Sequence, residues 1–177
     1  MLAYLYLVIA VALRFLPHNG FWNFTPVGAA LLFFGARQSR RHLWVPVALL
    51  ALSDVLLTTV VYRYPFTADH LVTWAWYGAA LLLGRLLREN AKPARVLGAA
   101  LATSISFFLV SNFAVWGVGH AVDNMYPKTL AGLLACYQAA VPFFRYTLAG
   151  DLIFSAVFFG IAALLESRHR AAATVSS

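Results

Sequence analysis

Six stretches of this chain, 1–16, 26–41, 43–62, 68–87, 95–118 and 147–165, are strongly apolar and carry most of their few charges at their ends. Each approaches the roughly 20 apolar residues that a helix needs to cross a bilayer. No soluble architecture buries so many runs of this length in 177 residues. Only 11% of the residues are charged, where a soluble domain has about 25%. Mean hydropathy is +0.77, so lipid rather than water is the natural solvent. The net charge of +7 does not point to nucleic acid, because the basic residues sit in short clusters between apolar runs instead of forming one groove.

These runs predict an all-α integral membrane protein, a bundle of six transmembrane helices in one domain over 1–165. The segment 166–177 (ESRHRAAATVSS) reads as a disordered cytoplasmic tail. Residues 1–16 lack the basic leader of a signal peptide, and Arg14, Pro17 and His18 stand where its cleavage site would fall, so they read as a retained first helix. Charge placement sets the orientation. Arg37, Arg40, Arg41, Arg85, Arg88, Lys92, Arg95, Arg168 and Arg170 lie at alternate ends of the spans. The opposite ends hold Arg14, Arg63, Lys128 and Arg145. The positive-inside rule then places both termini in the cytoplasm, with the bacterial inner membrane as the location.

Two segments depart from plain spans. Thr25 is a good N-cap and Pro26 suits a first helical turn. A helix from there to Arg41 reaches only about 24 Å, leaving part of the loop PHNGFWNFT at membrane depth, which is tolerated where the backbone lines a cavity. Residues 129–144 place Leu130, Leu133, Leu134 and Tyr137 at helical spacing and end near Pro142. They read as an extra outer-face helix.

Polar residues within the spans mark the candidate site, since such groups are costly in lipid and usually face the bundle interior. Asp54, Thr58 and Tyr62 form one i, i+4, i+8 stripe, and Thr147, Asp151 and Ser155 another. Ser104, Phe108, Ser111 and Asn112 share a third face. All three meet at one depth in the outer half, beneath the loop carrying His18, Asn19 and Asn23. Trp22, Trp74, Trp76 and Trp116 gather toward the same side, which suits a cavity that stacks a flat or apolar ligand. The candidate substrate-binding residues are Arg14, Asn23, Asp54, Thr58, Trp74, Asn112, Arg145 and Asp151. The bland alternative is that Asp54 and Asp151 pair with Arg14 and Arg145 to fix packing.

Other chemistry has little footing. Lone Cys136 on an apolar helix is more often filler than a ligand, and His18, His70 and His120 are far apart in sequence. No phosphate loop, dinucleotide fingerprint or adjacent nucleophile and base occurs. Neither an enzyme nor a metal or cofactor site is expected, and any ATP hydrolysis would come from another chain.

The phrases NFTPVGAALLFFGA, the SD of span three, SNFAVW and YPKTLAGLLACYQAAVPFFRYTLAGD resemble a family of small bacterial membrane proteins regarded as transport proteins. That family is similar, at a distance, to the S-components of energy-coupling-factor vitamin transporters. The resemblance implies a six-helix S-component fold with a substrate site open to the outside, closed here by loops 17–25, 62–69 and 118–146. S-components that dock on a shared subunit carry Ala-x-x-x-Ala in helix one. Ala3, Ala10 and Ala12 lack that spacing. The expected function is binding or uptake of a small organic nutrient, a vitamin or cofactor precursor, alone or with a separate energising ATPase module. The alternative is an accessory subunit packed against a larger membrane complex.

Overall fold

A computed structural model describes residues 1–16, 23–118 and 125–175. His18, Asn19, Trp22 and His120, and with them most of the loop expected at membrane depth, lie outside the described residues. The described chain is all-helical, with no strand. It runs α1 (Leu2–Leu13), α2 (Val27–Arg37), α3 (Trp44–Leu56), α4 (Asp69–Arg85), α5 (Pro93–Val118) and α6 (Leu130–Val175). Three stretches, Arg40–Val61, Pro93–Val118 and Leu130–Ala173, are long and apolar enough to cross a membrane. Large apolar side chains on the outside of the bundle, among them Leu52, Leu82, Ile105, Phe113, Ile153 and Leu164, are exposed, as expected of a lipid-facing surface.

The short helix α2 is the axis of the bundle. Its 11 residues reach about 16 Å, and Gly28 through Ala36 are all buried. Helices α1, α4, α5 and α6 pack round it. It is apolar on every side, as a helix enclosed by others must be. Against α4 the backbones nearly touch: a Cβ on Gly35 would lie 2.1 Å from the Leu81 carbonyl oxygen, and one on Gly84 2.3 Å from that of Leu32. Only glycine at both positions permits this crossing. Rings fill the neighbouring layer, with Tyr6 stacked on Phe158 at 3.9 Å and Phe33 edge-on to Tyr6 and Phe159.

Contacts sort the helix ends into two groups. Tyr4 meets His42 Nδ1 at 2.6 Å, Arg37 pairs with Glu166 at 2.7 Å, and Arg88 donates to the Gln38 carbonyl at 3.1 Å. The start of α1, the α2–α3 and α4–α5 junctions and the late part of α6 therefore share one end, the end expected to be basic. Arg14, Asn23, Tyr62 and the start of α6 lie toward the other.

Two expectations need correction. Residues 129–144 are not a separate outer-face helix, because α6 runs unbroken through Pro142. Proline removes one N–H but keeps a helical φ. The segment before it is held along α5, with Tyr137 donating to the Leu109 carbonyl at 2.8 Å and Phe108 packed on both Tyr137 and Phe144. In an apolar medium, breaking the helix would free more backbone than Pro142 does. At the far end the helix continues to Val175, through most of the segment read as a disordered tail.

Candidate functional site

Asp54 sits in the half of the bundle opposite the basic end. It comes from the last full turn of α3, just before the chain widens into a π-helical turn, Leu57–Val61. Such turns recur at functional positions. Its carboxylate forms an ion pair with Arg14, just past the end of α1. It also accepts hydrogen bonds from Trp74 Nε1 at 2.9 Å and Tyr77 Oη at 3.1 Å, both on α4. Arg14 further donates to the Ser53 hydroxyl. The carboxylate thus has a charge partner and two neutral donors, the full satisfaction that a buried ion pair requires. One turn on, the Thr58 hydroxyl meets His70 Nε2 at 3.0 Å, and His70 Nδ1 faces the Thr67 carbonyl at 3.0 Å. This ties the π turn to the start of α4.

Asp151 is held differently. It is 2% exposed and has no basic partner among the described residues. Ser104 donates to its Oδ2 at 2.7 Å, and the backbone N–H groups of Gly28 and Ala29 face the same carboxylate. Those amides belong to the first turn of α2, where the N–H groups have no intrahelical partner. Thr25, the expected N-cap, makes no side-chain cap. Asp151 caps the helix from α6 instead, and Gly28 makes room for it: a Cβ there would stand 2.3 Å from Asp151 Oδ1.

The strand of loop above α2 lies at this same depth. Gly150 abuts the Thr25 backbone, and Phe24 meets Phe154 at 5.5 Å between ring centres. Asn23 has a positive φ of 67°, a left-handed conformation that asparagine tolerates better than most residues. Around it open three adjoining cavities. The central one, 120 Å³, is lined by Arg14, Thr25, Trp76, Tyr77, Phe107 and Asp151 among others. A second, 170 Å³, lies toward α5 with Phe108, Ser111, Asn112 and Thr147 in its walls. The third, 190 Å³, lies toward α3 with Arg14, Asp54, Thr58 and Tyr62. Asn23 lines all three.

Six of the eight candidate residues therefore converge on these cavities: Arg14, Asn23, Asp54, Thr58, Asn112 and Asp151. Trp74 is adjacent, as a donor to Asp54, and lines none of the three. Arg145 is elsewhere. It is exposed, stacked over Tyr146 at 4.7 Å, and does not pair with Asp151. Of the ion pairs that Arg14 and Arg145 could make with Asp54 and Asp151, Arg14–Asp54 is the one found among the described residues. Tyr77, Thr25, Trp76 and Phe107 complete the walls, Ser104 supports Asp151 from behind, and none of the five was among the candidates. Tyr77 follows Trp74 by three residues on one helix face, a spacing that could have drawn it in. Cys136 is buried, its thiol 3.4 Å from the Asn112 carbonyl oxygen. No group of three potential metal ligands occurs among the described residues.

The geometry, six runs of apolar sequence folded round polar cavities at one depth, defines a helical protein of membrane character. The chain belongs to DUF6580, a family of unknown function, which it matches over residues 1–173. No curated protein and no solved structure matches it, and the comparisons give no likeness to S-components.

Proposed function

We propose that this is a substrate-binding or uptake protein of the bacterial inner membrane, with six spans, both termini cytoplasmic and an S-component-like plan. Its cargo is a small organic nutrient such as a vitamin or cofactor precursor. One observation carries the reading: polar groups from the α1 end, the Asn23 loop, α3, α5 and α6 meet at a single depth around adjoining cavities. Structural ion pairs alone would leave that space filled. Small-molecule sites combine apolar and aromatic walls with a few placed polar groups, as here, and commonly enclose about 300–1,000 Å³. Each cavity is smaller, so the ligand is either compact or spans more than one of them.

Native mass spectrometry of gently purified protein tests this, comparing the wild type with Asn112→Ala. Asn112 donates to the Phe108 carbonyl at 2.8 Å, so its loss should cost only about 1 kcal/mol of stability. The wild type should carry a discrete bound mass, with occupancy reduced severalfold in the variant at equal folded yield. Equal occupancy would move the site elsewhere.

A second reading, an accessory subunit on a larger membrane complex, draws on the outside of the bundle. A 310 Å³ groove between α5 and α6 is lined by Ala91, Val96, Ala100, Ala156, Gly160 and Ala163 among others. A Cβ on Gly160 would meet nothing within 4 Å, so the chain's own packing gives no reason for glycine there. Small residues of this kind let another transmembrane helix approach closely. Gly160→Leu should then release a partner without changing the bound mass.

A further inference from the structure

The wall of the central cavity holds a carboxyl group, Asp151, with no basic partner among the described residues. Its charged lining residues are Arg14 and Asp151. Arg14 is committed to Asp54, so that pair is neutral as a unit. Among the described residues the donors to Asp151 are neutral, the Ser104 hydroxyl and the amides of Gly28 and Ala29. The end of a helix supplies at most about half a positive charge, which leaves the carboxylate partly unmatched. Three donors also leave room for a further one, since a carboxylate has about four acceptor positions. The rest of the wall is aromatic: Trp76, Tyr77 and Phe107. Trp76 and Phe107 lie 4.7 Å apart between ring centres, and the Trp76 N–H is turned to Ser106 at 3.0 Å. The ring faces carry negative potential and attract cations. An anionic ligand would meet Asp151 and find Arg14 already neutralised.

We propose that the central cavity selects an organic cation, an ammonium or amidinium group on a small flat or apolar body. The inference rests on the ligand-site reading above and adds its charge class. The charged head lies against the free edge of Asp151, and the body lies against Trp76, Tyr77 and Phe107. Capping of α2 accounts for the Gly28 and Ala29 contacts of Asp151 but not for its place on a cavity wall opposite three rings.

The probes are benzylammonium, benzyl alcohol and benzoate, which share a ring and differ in charge. Thermal unfolding of the detergent-purified chain is followed with each at equal concentration. Benzylammonium should raise the midpoint, with the other two giving less than a fifth of that shift. Asp151→Asn should lose the response, and Leu82→Ala, on the exposed outside of the bundle, should keep it. Because Asp151→Asn also touches the cap of α2, Phe107→Ala is a second variant that leaves the carboxylate in place. It should weaken the apparent affinity for benzylammonium at least threefold. An equal or larger shift with benzoate or benzyl alcohol would overturn the proposal, as would a folded Asp151→Asn that responds like the wild type. If no probe shifts the wild type but native mass spectrometry finds a bound mass sensitive to Asn112→Ala, the charge class fails and the site stands. If that mass is absent too, both fail.

Discussion

Two buried aspartates, 97 positions apart in sequence, are satisfied by different means, and the difference sets what each can tolerate. Asp54 is a salt-bridge residue. Removing it leaves the Arg14 guanidinium uncompensated in a half-buried position, with the Trp74 and Tyr77 donors unpaired. Breaking a buried pair from one side typically costs about 3–5 kcal/mol, so Asp54→Ala should sharply lower the folded fraction in size-exclusion chromatography. Adding Arg14→Met should recover part of the loss, the signature of a coupled pair. Asp151 is a cap, and its weak point is Gly28. Gly28→Ala should destabilise by about 1–3 kcal/mol through overpacking, and Asp151→Ser should relieve that cost by shortening the side chain. Arg14, Asp54 and Asp151 stood out in the sequence as ionisable groups in apolar runs at one depth, but the sequence did not say which arginine meets which aspartate. Arg145 was the other arginine considered, and it lies on Tyr146, away from Asp151. At about 100° per residue, six positions separate the two by about 120° round one helix, so they face different ways. Nothing in the sequence shows that the partners of Asp151 are backbone amides.

At the scale of the elements, glycines report where helices touch. Gly35→Ala and Gly84→Ala put a methyl group into the opposing backbone, which cannot swing aside as a side chain can. Either should cost more than Gly28→Ala, and thermal unfolding in detergent should rank them so. Gly160→Ala, with open space at its Cβ, should lie within about 0.5 kcal/mol of the wild type. The existence of the helices was read from apolar length, and the shortness of α2 from the Thr25–Pro26 punctuation. The continuity of α6 was missed because Pro142 looks like a stop in isolation. Tyr137, Phe108 and Phe144 hold the two halves in line, and that contact is visible only once α5 lies beside them. The end of α6 was misread because Glu166 and its neighbours are polar enough for a tail, while Arg37 reaches Glu166 across the bundle.

For the whole molecule, the contacts that gather Met1, residues 37–42, the 85–95 junction and Glu166 at one end agree with the basic clusters counted along the chain. The proposed orientation, with both termini cytoplasmic, turns that end inward. Arg40→Cys, in a background lacking Cys136, should be shielded from an impermeant thiol reagent added to intact cells, and labelling there would reverse the orientation. The composition made membrane character legible, and the polar stripes located the cavities. The shape of the cavities is not legible, because it depends on side chains from segments far apart in the chain that no local pattern relates. The most direct test is an experimental structure of the protein purified without harsh detergent. A binding site requires non-protein density in these cavities, against Asn23 and at least one of Asn112 and Asp151. Cavities filled by the chain's own side chains, with no such density, would contradict it.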